Sequence, residues 1–303
     1  MLTLLSHESC RRHNNGPGHP EAPRRLEAVR RRLDADLVAA GRAAWVEAPA
    51  ADDADMLRVH TPAHLARLRR LDAAGGGSLD ADTAMGPDSL EAARRAAGAA
   101  VFAAERAMRG DGPSFCAVRP PGHHATPSRA MGFCLLNNAA IAAATGLARL
   151  GAERVLIVDW DVHHGNGTAD AFRSDARVRY VSLHQWPHYP GTGLADDTGV
   201  GNLFHVPRPP GLPAETYVRD LLAAVDRAVR GFHPSLLIHS AGFDALSGDP
   251  LGGFTLEPAD YGTITRGIGE RASGAAVMSV LEGGYDPPRL GEAAAIHAAA
   301  LAP

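Results

Sequence analysis

The chain has 303 residues, 45% hydrophobic and 21% charged, which is enough to build one large α/β domain or two ordinary ones. Its formal net charge of −4 and its lack of a basic tract argue against a nucleic-acid-binding protein, and no apolar run is long enough to span a membrane. All 30 basic residues are arginine, which excludes a Schiff-base, pyridoxal-phosphate, Walker-type or kinase lysine.

The three cysteines, Cys10, Cys116 and Cys134, form neither a Cys-x-x-Cys motif nor a disulfide framework. The first residues carry no basic leader and no small-residue cleavage site, so they predict a first strand rather than a secretion signal. Both features favour a protein of the reducing cytoplasm.

Apolar runs rich in β-branched residues alternate with alanine-rich stretches along the chain. The predicted strands are residues 2–5, 115–118, 155–158, 178–183, 236–240 and 276–281. The predicted helices are residues 24–40, 87–109, 137–150, 213–230, 258–272 and 289–300. This alternation predicts an α/β fold with a mainly parallel sheet and helices on both faces. No repeat or long linker divides the chain, and residues 73–77 and 207–213 are predicted surface loops, so we expect one domain over residues 1–303.

Polar clusters follow four of the predicted strands. In open parallel sheets, ligands bind beyond the carboxyl ends of the strands. Burying this many ionisable groups without a task would cost several kcal/mol for each. We therefore expect the four strand ends to deliver one functional site, made of His123, His124, Asp159, Asp161, His163, Asp244 and Tyr285.

The segment after the predicted strand 155–158 is the richest of these clusters. Asp159, Asp161 and His163 are each two residues apart, so an extended backbone would project all three to one side. Carboxylates beside an imidazole are typical ligands of a divalent metal. Gly165 and Gly167 then allow a sharp turn. The alternative is a polar turn after a core strand, with exposed histidines. The three other polar clusters argue against that alternative.

A catalytic zinc needs three protein ligands and one open position, and Asp161, His163 and Asp244 supply such a set. Zinc can lower the pKa of a bound water to about 7. The tandem His123-His124 can accept and return a proton, while Tyr285 can donate a hydrogen bond to a developing oxyanion. No nucleophilic serine elbow is present. The residues therefore favour metal-assisted amide hydrolysis.

With these motifs the sequence resembles the histone deacetylase superfamily, particularly bacterial class II-like histone deacetylase-like and acetylpolyamine amidohydrolases. The resemblance implies the three-layer arginase/deacetylase α/β fold, with a central parallel sheet of about eight strands. The segments that carry it are residues 18–26 (GHPEAPRRL), 119–124 (RPPGHH), 132–138 (GFCLLNN), 159–168 (DWDVHHGNGT), 182–184 (SLH), 189–193 (YPGTG), 240–245 (SAGFDA) and 281–285 (LEGGY).

The resemblance implies a role for each chemical group of the site. Asp161, His163 and Asp244 match the zinc ligands. His124 matches the general base, which then serves as the general acid on the leaving amine. His123 matches the second histidine, an electrostatic or proton-donating partner.

Three further residues match positions around this machinery. Asp159 matches the carboxylate that orients His123, and Tyr285 matches the tyrosine that polarises the substrate carbonyl. Asn166 stands where class I members carry an aspartate behind the general base. A neutral partner should leave His124 less basic than a carboxylate would, which predicts a different pH profile rather than inactivity.

The resemblance also implies substrate and potassium contacts. The acyl-lysine tunnel and its rim would be formed by Gly132 (through its carbonyl), Phe133, Tyr189 and Leu251. A potassium ion beside the zinc would be held by Asp159, Asp161, His163, Ser182 and Leu183. Arg25 aligns loosely with an arginine at the base of an acetate-release channel.

The implied substrate is an acetylated amine, and its exact identity stays open. His188-Tyr189 replaces the usual aromatic pair near the tunnel mouth, with Trp186 nearby, so substrate preference is unsettled. Four acidic residues could face a cationic substrate or be solvated loop charges: Glu8, Glu21, Asp80 and Asp82.

Acetyl-lysine is favoured over acetylpolyamine because the chain lacks the longer insertion associated with polyamine enzymes. A silent acyl-lysine-binding protein would have lost a catalytic group, and an arginase-like enzyme would need a second carboxylate-rich ligand set. We expect no nucleic-acid or membrane partner, and the oligomeric state, a homo-oligomer included, stays open.

Overall fold

A computed structural model of the chain describes residues 1–302. The strands are β1 (Leu2–Ser6), β2 (Ala43–Glu47), β3 (Gly77–Ser78), β4 (Ala84–Met85), β5 (Ser114–Cys116), β6 (Val155–Asp159), β7 (Val178–Gln185), β8 (Leu203–Arg208), β9 (Leu236–Ala241) and β10 (Ala276–Leu281). Eight of them form one parallel sheet in the order β2-β1-β5-β10-β9-β6-β7-β8, and β3 pairs with β4 in a small antiparallel hairpin.

The helices surround this sheet. They are α1 (Glu8–Arg12), α2 (Pro23–Leu33), α3 (Asp53–Met56), α4 (Pro62–Ala73), α5 (Ser89–Met108), α6 (Asn138–Arg149), α7 (Asn166–Phe172), α8 (Ala214–Val229), α9 (Pro258–Arg271) and α10 (Pro287–Leu301). Every residue of β1, β6 and β9 is buried, so helices cover both faces of the sheet. Within residues 1–302, no helix combines the length and the hydrophobicity that a membrane span requires.

The predicted α/β fold with a parallel sheet is confirmed. All six predicted strands are present, but the two edge strands β2 and β8 were not predicted. An edge strand is only partly buried, so its apolar pattern is weak: in β2 only Ala43 is buried, and Val46 is 38% exposed. The predicted loop 207–213 is wrong at its start, because Pro207 lies inside β8. The predicted helix 24–40 is α2 followed by a π-helical turn, Asp34–Val38.

Local capping fixes the chain on both sides of the site. The side chain of Asn137 accepts a hydrogen bond from the backbone of Ala140 and starts α6. The side chain of Asp286 accepts a hydrogen bond from the backbone of Arg289, and Pro287 occupies the first position of α10. Since Asp286 directly follows Tyr285, this cap sets where the chain leaves the site.

The four strands that precede the polar clusters are neighbours in the sheet. They are β5, β10, β9 and β6, and they stand side by side in that order. Because all are parallel, their carboxyl ends lie at one edge. The topology therefore brings together loops that are far apart in sequence.

Candidate active site

Two loops bring two carboxylates and one imidazole together. Asp161 and His163 follow β6, and Asp244 follows β9; one ligand atom from each lies within 4.8 Å of the others, and all three residues are buried. Nδ1 of His163 lies 3.0 Å from Oδ1 of Asp161 and 3.2 Å from Oδ2 of Asp244. This is the only group of three or more metal-ligating side chains that residues 1–302 bring together.

The donor set fits a divalent cation. Oδ1 of Asp244 accepts from the backbone N–H of Val162 (2.8 Å), whereas Oδ2 accepts no hydrogen bond from any described residue. Burial and the neighbouring Asp161 raise the pKa of Asp244 to about 7. Two buried carboxylates repel each other unless a positive charge lies between them, and a bound divalent ion would supply that charge.

Glycines allow the close approach of these loops. A Cβ atom at Gly242 would overlap Asp161, and one at Gly283 would overlap the carboxylates of both Asp161 and Asp244. The backbone N–H of Gly283 donates to Oδ2 of Asp161 (2.8 Å). Gly283 therefore allows the carboxylates to approach the backbone, and Gly284, with a φ of 120°, allows the turn before Tyr285.

Asp159 is not part of the group formed by Asp161, His163 and Asp244, although the sequence predicts that it points to the same side as Asp161 and His163. The strand ends at Asp159, so the alternation expected from an extended backbone stops there. Oδ2 of Asp159 accepts from Nδ1 of His123 (3.0 Å) and from the hydroxyl of Tyr180 (2.8 Å), while Oδ1 accepts from the N–H of Asp161 (3.1 Å). Tyr180 was not predicted from the sequence, because only the pairing of β6 with β7 brings it here.

The tandem histidines have different partners. Their ring centroids are 4.0 Å apart, and Nδ1 of His124 donates to Oδ1 of Asn166 (2.8 Å). Burial lowers the pKa of His123, but the carboxylates of Asp161 and Asp159 outweigh it and raise that pKa to about 10. Burial and the positive His123 hold the pKa of His124 well below its usual value. One ring is thus cationic and the other neutral at pH 7.

Glu282 is a second residue that sequence reasoning missed. Its buried carboxylate accepts hydrogen bonds from the backbone N–H groups of Gly122 (2.6 Å) and His123 (3.1 Å) and from the hydroxyl of Ser240 (3.0 Å). It therefore ties the ends of β5, β9 and β10 together. Burial raises the pKa of Glu282 to about 7. A glutamate at the end of a buried strand was the available signal.

Tyr285 is held from both sides. Its backbone N–H donates to Oδ2 of Asp249 (2.7 Å), and the guanidinium of Arg25 lies 4.8 Å from the centre of its ring. Arg25 is fully buried, and its N–H groups donate to the carboxylate of Glu21 and to the carbonyl oxygens of Glu282 and Gly284. Burial raises the pKa of the Tyr285 hydroxyl well above its ordinary value, so that group carries its proton at pH 7.

A cavity of about 410 Å³ leads to these groups. The structure brings the residues predicted to bind substrate to its walls, together with catalytic candidates. Those lining residues are His124, Gly132, Phe133, His163, His188, Tyr189, Leu251 and Tyr285. The backbone of Phe133 has a φ of 67°, a left-handed conformation that is costly for a bulky residue and is typical of functional sites.

His188, whose role the sequence left open, forms part of this wall. Its ring stacks on that of His163, with centroids 4.9 Å apart and planes 16° apart. Nε2 of His188 donates to the carbonyl oxygen of Leu251 (2.9 Å). Asp82, which is exposed, also lines the cavity, whereas Glu21, expected to face a cationic substrate or solvent, is fully buried.

Three of the residues matched to a potassium site lie on the adjacent strands β6 and β7, and the other two, Asp161 and His163, lie in the loop after β6. Asp159 of β6 is paired with Ser182 of β7, and Leu183 follows directly. The hydroxyl of Ser182 donates to Nδ1 of His184 (2.9 Å).

Comparison with known proteins agrees with this geometry. The histone deacetylase domain family matches residues 19–301. A histone deacetylase-like amidohydrolase of Pseudomonas aeruginosa is 39% identical in a match that covers 88% of this chain and 73% of the amidohydrolase. A probable deacetylase of Methanothermobacter thermautotrophicus is 41% identical in a match that covers 92% of this chain and 84% of the deacetylase. The crystal structure of the HDA15 HD domain superposes with a TM-score of 0.94 at 36% identity, covering 99% of this chain and 90% of that one. The chain therefore belongs to the histone deacetylase family of amidohydrolases.

Proposed function

We propose that the chain is a zinc-dependent deacetylase that hydrolyses the amide of an N-acetylated amine such as N-acetyl-lysine, and that residues 1–303 form one catalytic domain. The observation that carries the proposal is the buried group of Asp161, His163 and Asp244 beside a cavity that also contains His124 and Tyr285. Metal ligands, a base and an oxyanion donor are the parts that amide hydrolysis by a metalloenzyme requires.

Asp161, His163 and Asp244 would hold the zinc. When bound, zinc supplies a Lewis acid that polarises the substrate carbonyl and makes a coordinated water more acidic. The backbone of Asp159, Asp161, His163 and Leu183, with the side chain of Ser182, would hold a potassium ion next to it, which the pairing of β6 with β7 supports.

His124 would act as the general base. The amide oxygen of Asn166 can only accept, so Nδ1 of His124 carries a hydrogen and its Nε2 presents a lone pair. The low pKa of His124 keeps that lone pair available at neutral pH. The same nitrogen can return the proton to the departing amine.

His123 would stay protonated through the reaction. Its Nδ1–H donates to Asp159, which in turn is fixed by the hydroxyl of Tyr180. A fixed positive charge beside His124 favours the negative charge that develops on the substrate oxygen. Glu282 holds the backbone of His123 in place for this role.

Tyr285 would donate its hydroxyl hydrogen to the developing oxyanion. Its raised pKa keeps the hydroxyl protonated, and Asp249 fixes its backbone. A preorganised donor of this kind is typically worth about 10²–10³ in kcat.

The cavity walls suit an acyl amine on an aliphatic stem. Phe133 and Tyr189 offer aromatic surface, Leu251 offers an apolar rim, and the carbonyl oxygen of Gly132 would accept the substrate N–H. A flexible alkyl chain between aromatic faces is stabilised by burial at roughly 25 cal/mol per Å².

An acetylpolyamine is the second candidate substrate, favoured by one observation. The exposed residue Asp82 lines the cavity, and Asp80 lies near it. These acidic groups would attract the free ammonium of a polyamine. The guanidinium of Arg129 lies 3.9 Å from the carboxylate of Asp80, so it offsets part of the negative charge of this pair.

A substrate panel tests the proposal. Zinc-loaded protein is assayed with an acetyl-lysine peptide, a trifluoroacetyl-lysine peptide, acetylputrescine and acetylspermidine, with Tyr285→Phe as the matched control. We expect turnover of the lysine substrates that Tyr285→Phe reduces by about 10²-fold or more. Preferential turnover of the polyamines would assign the second candidate. Absence of turnover with all four would refute the enzyme proposal.

A further inference from the structure

The amide of Asn166 has a second contact, made by the group that does not face His124. Its Oδ1 accepts from Nδ1 of His124 (2.8 Å), while its Nδ2 donates to the thioether sulfur of Met131 (3.5 Å). Within residues 1–302, this sulfur is the only acceptor that Nδ2 reaches. Met131 is not among the residues that line the catalytic cavity, so its sulfur acts on the site through Asn166.

The two ends of an amide have nearly the same shape, but they affect His124 in opposite ways. With Oδ1 facing the ring, Nδ1 carries the hydrogen and Nε2 has the lone pair of a base. With the amide rotated by half a turn, Nδ2 would donate to Nδ1, the hydrogen would move to Nε2, and Nε2 would have no lone pair to offer. A carboxylate has two oxygens and cannot present a donor, so this choice exists only because residue 166 is an asparagine.

The sulfur of Met131 favours the orientation that suits a base. A thioether accepts hydrogen bonds and has no hydrogen to donate, so it stabilises Nδ2 beside it and would repel Oδ1. Both Met131 and Asn166 are partly buried, so solvent replaces this contact only in part. An amide N–H that lost its acceptor there would cost free energy, and that cost opposes rotation of the amide.

The loop that carries Met131 is held in place independently of its side chain. The backbone N–H of Met131 donates to the carbonyl oxygen of Cys134 (3.1 Å), and the N–H of Cys134 donates to the carbonyl oxygen of Met131 (3.0 Å). The next residue, Gly132, packs so closely on His124 that a Cβ atom at this position would overlap the imidazole. A change confined to the side chain of Met131 therefore leaves the backbone of the loop anchored.

We propose that Met131 is a positioning residue of the catalytic site: its sulfur fixes the orientation of the Asn166 amide and thereby keeps the hydrogen of His124 on Nδ1. The inference rests on the proposed role of His124 as the general base. It adds to that role the reason why an amide, which could present either of its ends, keeps the base in its active form.

Three substitutions isolate the contact made by the sulfur. Met131→Leu keeps nearly the same volume, a change that cores tolerate well, and removes the acceptor. Met108→Leu is the matched control, because Met108 ends α5 shortly before β5 begins, whereas the site lies beyond the other end of that strand. Asn166→Asp is the background in which Met131→Leu should have no effect, since a carboxylate has no end that could donate to His124.

The test is NMR of the zinc-loaded, full-length protein with isotope-labelled histidine nitrogens, in which His124→Ala identifies the signals of His124. Long-range hydrogen–nitrogen correlations report which ring nitrogen carries the hydrogen. We expect Nδ1 in wild type and in Met108→Leu. In Met131→Leu, the ratio of the Nε2–H form to the Nδ1–H form should rise by about three- to tenfold, the scale of one hydrogen bond. Adding Met131→Leu to Asn166→Asp should leave the signals of His124 unchanged.

Turnover of an acetyl-lysine peptide links this signature to catalysis. The kcat of Met131→Leu should fall in proportion to the loss of the Nδ1–H form, because only that form can accept a proton at Nε2. In the Asn166→Asp background, the same substitution should leave kcat as it is. The two backgrounds thus separate rotation of the amide from displacement of the loop.

Two NMR results would overturn the proposal: a hydrogen on Nε2 of His124 in wild type, or the same share of the Nδ1–H form in Met131→Leu as in wild type. An equal fall of kcat in both backgrounds would also overturn it, because the substitution would then act by moving the loop. Failure of the proposed function has a different signature: wild type would turn over none of the substrates, while the signals of His124 would still report on Met131.

Discussion

Two buried clusters of charged side chains lie next to each other in this molecule, and they differ in how their hydrogen bonds are satisfied. In the first, called here the Glu21 cluster, Arg119 binds both oxygens of Glu21 and Arg25 binds one of them (2.9 Å). The remaining donors of Arg119 reach the carbonyls of Cys10 (2.9 Å) and His13 (3.0 Å). This cluster is complete without any added ion.

The second cluster is the carboxylate site of Asp161, His163 and Asp244. Here an oxygen of Asp244 accepts no hydrogen bond from the described residues, and burial beside Asp161 raises the pKa of Asp244. The contrast indicates that burial of charge is not by itself a sign of function. A saturated cluster stabilises the fold, whereas a pair of buried carboxylates with an unsatisfied oxygen is suited to bind a cation.

The largest effect is expected in the Glu21 cluster. Glu21→Gln leaves two buried guanidinium groups without their carboxylate, so the free energy of unfolding should fall by about 3–5 kcal/mol, measured by urea denaturation. Glu27→Gln on the exposed face of α2 is the control and should cost less than about 0.5 kcal/mol. A loss below about 1 kcal/mol in Glu21→Gln would contradict a stabilising role for the cluster.

Within the catalytic site, His124→Ala should lower kcat by about 10²-fold or more, because the proton acceptor is lost. The free energy of unfolding should change far less than in Glu21→Gln, which would separate catalysis from stability. Steady-state kinetics and denaturation on the same preparation measure both, with His233→Asn as the control. A variant that keeps near-normal kcat would refute the assignment of His124 as the base.

Zinc should stabilise the carboxylate site and leave the Glu21 cluster unaffected. A hundredfold excess of zinc over its Kd adds about 2.7 kcal/mol to the free energy of unfolding. We expect wild type and Glu27→Gln to gain this stabilisation in thermal unfolding after chelator treatment, and Asp244→Asn to gain little. Equal stabilisation of Asp244→Asn would place the zinc elsewhere.

The smallest effect concerns the pH dependence of the base. In Asn166→Asp a carboxylate replaces the amide that accepts from His124, so it stabilises the imidazolium and raises the pKa of that ring. Only the neutral ring can accept a proton, so the acidic limb of kcat/KM against pH should move to higher pH, by about one unit. A limb that stays in place or moves to lower pH would show that another group controls it.

Much of the fold could be predicted from the sequence because the central strands are continuous apolar runs. The same runs ended at the polar clusters, and parallel topology then required those clusters to share an edge. Asp161, His163 and Asp244 are brought together as that argument expects. The edge strands β2 and β8 were missed because their burial is partial.

The roles of the supporting residues were missed because their contacts cross strand pairs that only the fold defines. Tyr180 reaches Asp159 through the β6–β7 pairing, and Glu282 reaches His123 because β10 lies beside β5. Asp249, which fixes Tyr285, lies in an irregular loop with no periodic signal. Contacts between residues far apart in sequence depend on the order of the strands in the sheet, and the apolar pattern of the sequence does not determine that order.

The most direct test of the account is an anomalous difference map at the zinc edge, from crystals of the zinc-loaded protein. The account predicts one strong peak within bonding distance, about 2.0–2.2 Å, of Asp161, His163 and Asp244. A map with no peak among these three side chains, or with the main peak at another place in the molecule, would contradict it.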